Sequence, residues 1–355
     1  MIPPNATANP TRVMFLPDSG PEIGGGHVMR CLTLAAALGV RGAVCGFAAR
    51  PSAGRVLDAF AGPGIERLPV DEGDLPALVR QAETAAASWG AQVVIADHYG
   101  LNAHHEARLR GGGRRLIALD DMPTRPHACD LLVDATLGRT ADDYNGLLPP
   151  DARVLAGPEH ALVRPEFATD RQRVLARRED AGPARKLLIS LGLTDLRGVT
   201  GRIAHLIRPV LGVIEADIVA GAGAPSLTWL KRLEVDDARI RVHVETPEMA
   251  QLVGEADLAI GAGGSSTWER ACLGLPTVVL ILADNQRALA LALERQGAAL
   301  AVEAGGEAFG QRLTGAFVRL SGDVGLRASL SRVSAALCDG LGAQRVADAI
   351  MALVR

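Results

Sequence analysis

The sequence predicts an α/β protein built from two doubly wound, Rossmann-like halves facing a central cleft. Three observations carry this. The chain is 355 residues long, more than one hydrophobic core usually serves. It is 48% apolar with 40 glycines, 20 prolines and only 3% aromatic residues, a composition that suits short buried strands joined by tight turns. Strand-like runs also alternate with helical spacing through two separate stretches, the order expected of parallel sheets.

In the first stretch the strand candidates are Val13–Leu16, Ala43–Ala48, Val93–Ala96, Leu116–Leu119 and Leu131–Val133. Helical spacing fills His27–Leu38 and Leu75–Trp89 between them. Most of these strands run into an aspartate: Asp18, Asp97, Asp120 and Asp134. Ligands of open α/β sheets sit at such carboxyl ends. Between Pro149 and Pro183 the alternation breaks down. Prolines, glycines and the charged run Arg171–Asp180 predict a linker with one ordered patch, Gly157–Pro165. Alternation resumes at Leu187–Ser190 and continues through Asp217–Ala220, Ile240–Val244, Leu258–Ile260 and Thr277–Leu282. The stretch Phe309–Arg355 predicts two or three Ala/Leu-rich helices. The expected division is therefore 12–168, a linker at 169–185, and 186–355. No internal repeat or low-complexity segment interrupts it.

A net charge of −3 gives no electrostatic case for a nucleic-acid partner. Cys31, Cys45, Cys129, Cys272 and Cys338 are scattered and form no C-x-x-C pair, so they read as reduced, mostly buried thiols of a cytoplasmic protein. Met1–Thr11 has neither a basic start nor an apolar run and reads as a frayed tail, not a signal peptide. No uncharged apolar run reaches membrane-spanning length, so no membrane association is expected. Oligomeric state is open.

Four constellations carry chemistry. In Ile23-Gly24-Gly25-Gly26-His27, glycines between a strand and a helix let the backbone approach a ligand. The helix start supplies free N–H groups and a positive dipole end that favours a neutral, basic imidazole at His27. The plain alternative is a turn whose histidine caps the helix. In Asp97-His98-Tyr99-Gly100, a carboxylate, an imidazole and one of only two tyrosines follow a buried strand, suited to orienting a histidine or holding sugar hydroxyls. Helix capping by Asp97 is the alternative there. In Gly261-Ala262-Gly263-Gly264-Ser265-Ser266-Thr267-Trp268-Glu269, backbone amides and two hydroxyls form a diphosphate cradle without the lysine of a Walker A loop. Its rival is a capping box between Ser266 and Glu269. Asp284-Asn285-Gln286 offers amides that either read hydroxyls or a base, or cap the next helix. The adjacent residues His104-His105-Glu106 lack metal-ligand spacing and read as a solvated face. The adjacent pairs Asp120-Asp121 and Asp142-Asp143 lack the geometry of a glycosidase couple.

Taken in order, these motifs resemble the PseG/SpsG family, the UDP-sugar hydrolases of pseudaminic acid biosynthesis. The residues carrying the resemblance begin with Asp18, Gly24, Gly26, His27 and Arg30, then Asp97-His98-Tyr99-Gly100. Asp120-Asp121, His127, Cys129-Asp130, Tyr144 and Ala161–Phe167 follow. Gly192, Thr194-Asp195, Gly263–Ser266, Trp268-Glu269, Leu273–Pro276 and Asn285-Gln286 complete the set. Two positions depart from the family pattern. Leu16 stands where the family usually has arginine, and Leu193 replaces the second glycine of a Gly-Gly-Thr-Asp motif.

The resemblance implies a GT-B architecture related to the MurG glycosyltransferases. It implies hydrolysis of UDP-2,4-diacetamido-2,4,6-trideoxy-β-L-altropyranose to UDP and the free sugar. UDP is then expected mainly on the second domain, with Gly264, Ser265 and Ser266 at the diphosphate, Gly263 beside them in the UDP-sugar site and Glu269 at the ribose hydroxyls. Gly24, Gly26, Arg30, Gly192, Thr194, Asn285 and Gln286 complete the expected UDP-sugar site. His27 is the expected base that activates water, with Asp18, Asp97, His98 and Tyr99 positioning the sugar or tuning it. Stabilisation of the departing diphosphate by helix dipoles replaces a metal in this expectation, so neither metal nor cofactor is expected. A glycosyltransferase with the same cleft and a non-catalytic nucleotide-sugar binder are the rival classes.

Overall fold

The computed structural model describes residues 9–20, 23–180 and 182–354, so most of the tail expected over Met1–Thr11 lies outside the described residues. The first sheet has seven parallel strands: β1 (Arg12–Pro17), β2 (Val44–Ala49), β3 (Ile65–Pro69), β4 (Val93–Asp97), β5 (Arg115–Leu119), β6 (Leu131–Asp134) and β7 (Arg153–Ala156). Helices α1 (Gly26–Gly39), α2 (Gly54–Phe60), α3 (Leu75–Trp89) and α4 (Ala103–Leu109) connect its first five strands, and α5 (Pro165–Glu179) leads to the second sheet. That sheet has six parallel strands: β8 (Lys186–Ser190), β9 (Glu215–Ala220), β10 (Ile240–Val244), β11 (Leu258–Ala262), β12 (Thr277–Ile281) and β13 (Leu300–Glu303). Its connecting helices are α6 (Val199–Ile207), α7 (Leu227–Asp236), α8 (Met249–Glu255), α9 (Ser266–Cys272) and α10 (Asp284–Arg295). Helices α11 (Phe309–Gly322), α12 (Val324–Leu337) and α13 (Gly342–Leu353) close the chain.

Local chemistry explains the elements the sequence foretold. Helix α3 starts where Asp74 accepts from the Ala77 amide at 2.8 Å and stops at Gly90, whose φ of 74° only glycine adopts freely. Strands β4, β11 and β12 are buried along their whole length, as parallel strands covered on both faces must be. In β1, Val13 and Phe15 face the core around α1, whereas Met14 and Leu16 face the core around α3. The strands that no apolar run announced, β3, β7 and β13, all lie at sheet edges, where partial exposure permits charged residues.

Both sheets reverse their strand order once. The orders are β3-β2-β1-β4-β5-β6-β7 and β10-β9-β8-β11-β12-β13. Crevices therefore open between β1 and β4 and between β8 and β11. Pro17 pairs with Asp97, and Ser190 with Gly261, so the turns leaving these strands are neighbours in each half.

The linker expected over 169–185 is instead largely helical. Pro165 opens α5 at its first position, and Phe167, Val174 and Arg178 form its buried stripe. The charged run is not solvated throughout, because its arginines close the ends of other helices. Arg178 donates to Leu273 O at 2.6 Å, Ala256 O at 2.8 Å and Val253 O at 2.7 Å, and Arg171 donates to Cys272 O and Ala335 O. Ala161, Val163 and Phe167 join the core of the second sheet, so the boundary expected at 168 falls inside α5. Helix α13 returns to the first half. Val346, Ala347 and Ile350 pack in the core of α1, and Arg41 pairs with Asp348 at 2.7 Å. All five cysteines are buried and unpaired. Among the described residues no helix is long and apolar enough to cross a membrane.

Candidate active site

The first crevice gathers His27, Arg30 and Asp97. The turn of glycines after β1 starts α1 with His27 at its second residue, and Arg30 follows one turn on, on the same face. Both reach across to Asp97 at the end of β4. His27 Nδ1 lies 2.6 Å from Asp97 Oδ1, and Arg30 donates to both oxygens, Nη2 to Oδ1 at 2.5 Å and Nε to Oδ2 at 2.6 Å. Asp97 is fully buried. Burial alone raises its pKa, but Arg30 and His27 outweigh this and hold the carboxyl well below the usual range. An ionised Asp97 is an acceptor only, so His27 Nδ1 carries a proton toward it and Nε2 faces away from the carboxylate. The helix start has no side-chain cap, so His27 is not the capping residue of the plain reading.

Tyr99 stands edge-on to His27, with ring centroids 4.9 Å apart and planes at 89°. Its hydroxyl donates to Asp121 at 2.9 Å and accepts from Asn285 Nδ2 at 3.2 Å. One phenol thereby joins the two halves. Burial pushes the Tyr99 hydroxyl up, with Asp121 adding to it, so it remains a donor at neutral pH. Burial likewise raises Asp121 above the ordinary carboxylate range, with Arg30 opposing. One layer deeper, His127 bridges Glu106 Oε1 at 2.7 Å and Asp120 Oδ2 at 2.9 Å. Burial disfavours its charged form, but these two carboxylates prevail and push it up to about 9.

From the second half, Gly263, Gly264 and Ser265 follow β11 and face this cluster across one cavity. Gln286 lies only 3.2 Å from where a side-chain carbon on Gly263 would stand, so that position is tight for anything but glycine, whereas Gly264 faces open space. The capping box does not form. Ser265 is the N-cap residue and makes no capping bond, and Glu269 accepts from Arg164 Nε at 2.7 Å. The amide motif splits: Gln286 caps its own turn through Leu282 N at 3.1 Å, whereas Asn285 reaches Tyr99.

The cavity lining brings together Gly24, Gly26, His27, Arg30, Tyr99, Gly263, Gly264, Ser265, Asn285 and Gln286. Asp97 stands behind His27, and Thr194 stands beside Gly24. Ser266 and Glu269 sit behind the loop, tied to Arg270 and Arg164, and outside the lining. Gly192 (φ 106°) makes the turn after β8, and Leu193 presses on Gly25 across the interface. Asp18 and His98 pair away from the lining, at 3.3 Å. His98 Nδ1 accepts from Gly100 N at 3.0 Å, its buried Nε2 makes no hydrogen bond despite the approach to Asp18, and burial lowers its pKa.

Motif reading misses Thr136, His160 and the placement of Asp121, together with an apolar wall of Leu119, Val133, Ala135, Leu162 and Leu289. The sequence presents Asp120-Asp121 only as an adjacent acid pair, and His160 only as part of an ordered patch. Among the described residues no cluster of three His, Cys, Asp or Glu side chains is arranged to hold a metal.

No family model matches the chain. It is 26% identical, over 81% of its length and 97% of the relative's, to UDP-2,4-diacetamido-2,4,6-trideoxy-β-L-altropyranose hydrolase of Campylobacter jejuni. It is 28% identical over 55% of its length to the spore coat polysaccharide biosynthesis protein SpsG of Bacillus subtilis, covering 57% of that protein. Among solved structures, MurG of Acinetobacter baumannii matches with a TM-score of 0.67 at 18% identity, over 96% of this chain and 99% of that one. MnaA of S. aureus with UDP matches at 0.66 and 13% identity, over 97% of each chain. The likeness to the PseG/SpsG family read from the motifs is thus found over most of the chain, and the fold is the expected GT-B arrangement.

Proposed function

We propose that this chain is a UDP-sugar hydrolase that releases UDP and 2,4-diacetamido-2,4,6-trideoxy-L-altrose. The observation that carries the reading is the meeting of two crevices: an oriented imidazole on one side of a cavity and a glycine-rich loop on the other. The named activity of the Campylobacter relative supplies the substrate.

In this mechanism the diphosphate lies on the Gly263–Ser266 loop, which places the anomeric carbon near His27. Water donates a proton to His27 Nε2 and its oxygen forms a bond to that carbon. The bond between the carbon and the diphosphate oxygen breaks, and UDP leaves with the electron pair, so the centre inverts. The imidazolium is stabilised by Asp97, whose charge Arg30 maintains. UDP is a good leaving group, and loop amides offset its new charge. Tyr99 and Asn285 hold the halves at the distance this attack needs.

The test is chromatographic detection of UDP from the diacetamido-trideoxy-altrose nucleotide, comparing wild type with His27→Ala, in chelator and with added divalent ions. Release by wild type and its loss in the variant, with UDP still bound, supports the reading. Equal turnover in both overturns the role of His27. Turnover only after a sugar or lipid acceptor is added makes the chain a glycosyltransferase instead.

A further inference from the structure

We infer that Arg270 is the buried counter-charge of the phosphate-binding loop, a positioning residue that selects a nucleoside diphosphate over the bare nucleoside. The inference rests on the reading of Gly263–Ser266 as the diphosphate cradle. Arg270 lies on α9 directly beneath that loop and is 3% exposed. Its guanidinium donates to Ala262 O at 2.8 Å, Thr267 Oγ1 at 3.1 Å and Ser266 Oγ at 3.0 Å, while Nε has no partner. None of these acceptors is a carboxylate. The nearest acid, Glu269, already accepts from Arg164. Apart from a contact of Arg164 with the more exposed Glu166 at 3.5 Å, the foot of the loop therefore holds two guanidinium groups against one carboxylate.

Two other buried arginines show what a structural role looks like here. Arg178 and Arg327 also donate to carbonyls, but apart from Gly182 O, which Arg327 meets at 2.7 Å, those carbonyls end helices α8, α9 and α11, whose dipoles supply negative charge. The carbonyl under Arg270 ends strand β11, and strands lack such a dipole. Burial pushes Arg270 down to about 10, with Glu269 opposing, and lowers Arg178 and Arg327 as well, so the contrast lies in which carbonyls these groups meet. The fold also makes room for this charge. A side-chain carbon on Gly261 would stand 2.5 Å from Arg270 Cζ, so glycine is needed there.

The hydrogen bonds set the polarity of the loop. The Thr267 hydroxyl is used up between Arg270 and Ala262 O, to which it donates at 3.2 Å. Ser266 Oγ accepts from Arg270 Nη1 behind the loop, which leaves Ser265, in the cavity lining and without a capping bond, as the hydroxyl that faces the cavity. A diphosphate oxygen is the acceptor this arrangement lacks, and its charge compensates a guanidinium otherwise costly to bury.

Wild type, Arg270→Met and Arg270→Lys are titrated with UDP and with uridine by calorimetry, and melted without ligand. Arg270→Met is expected to melt no lower than wild type, since an apolar side chain replaces an unpaired ion. It is expected to bind UDP about tenfold more weakly or worse while uridine affinity stays unchanged. Arg270→Lys keeps the charge and retains part of the UDP affinity. Gly261→Ala, which takes the guanidinium's place, provides the same selective loss if Arg270→Met does not fold. Parallel losses for UDP and uridine, or unchanged UDP binding, would mean that Arg270 only packs the loop. Wild type that binds neither ligand overturns the cradle itself, and this inference with it.

Discussion

Replacing Asp97 by asparagine changes one atom and tests the proposed base most directly. The carboxylate is fully buried and receives three short bonds, from His27 and twice from Arg30, at 2.5–2.6 Å. An amide of the same shape leaves the Arg30 guanidinium with only the more distant Asp121 carboxylate, at 3.6 Å, against a loss of about 3–5 kcal/mol in unfolding free energy for a buried pair broken outright. The effect on chemistry is separate. The asparagine NH2 can face His27 Nδ1 as a donor, which moves the imidazole proton to Nε2, where water must be deprotonated. Turnover should fall by about 10²–10⁴-fold. Urea denaturation measures the first effect, UDP release the second, and calorimetry checks that UDP binding to the other half persists. The sign of the pH dependence follows from the depressed pKa of Asp97. Its stabilisation is full above the unfolded carboxyl value of about 4 and disappears as pH falls below that. The stability gap between wild type and variant should therefore be constant near neutrality and close in acid. A variant that turns over within about threefold of wild type would refute the tautomer argument, since catalytic histidines paired with a buried aspartate lose far more activity when held in the wrong tautomer.

Other consequences are equally direct. His127, held protonated to about pH 9 between Glu106 and Asp120, contributes stability that is complete below its unfolded value of about 6.5 and disappears as pH rises through 9. His127→Gln should cost about 3 kcal/mol at about pH 6 in chemical denaturation and flatten the alkaline limb of the stability profile. Tyr99→Phe removes the hydroxyl shared by Asp121 and Asn285 and should lower kcat by about tenfold or more while leaving UDP affinity nearly unchanged in calorimetry. Gly221→Ala places a carbon against the Leu193 carbonyl, so the 192–195 turn must shift, with an expected loss of about 1–3 kcal/mol in thermal or urea unfolding.

Much of the site was legible because local chemistry writes itself into short motifs. Glycines before a helix start, a polar residue ending a buried strand, and continuous apolar runs in parallel strands each reflect a constraint acting within a few residues. Helix α3 begins at an aspartate cap and ends at a left-handed glycine, and both signals lie in the chain itself. The charged run Arg171–Asp180 was misleading for the opposite reason. Its arginines meet carbonyls at the ends of distant helices, and no local pattern encodes a partner so far along the chain.

Local patterns in the chain were enough to show that two α/β halves form, that His27 stands at a glycine-rich helix start, and that a second glycine loop follows a buried strand. Periodicity and turn chemistry act locally, so one chain suffices to read them. It took the folded arrangement to show that Asp97 meets His27, that Tyr99 meets Asn285 across the halves, and that Glu269 is taken by Arg164 and is no helix cap. The same arrangement shows that Asp18 and His98 pair apart from the cavity and that Arg270 is buried without a carboxylate of its own. These are pairings between strand ends and loops far apart in sequence. Which groups meet is fixed by sheet order and register, and so is the compensation of each buried charge.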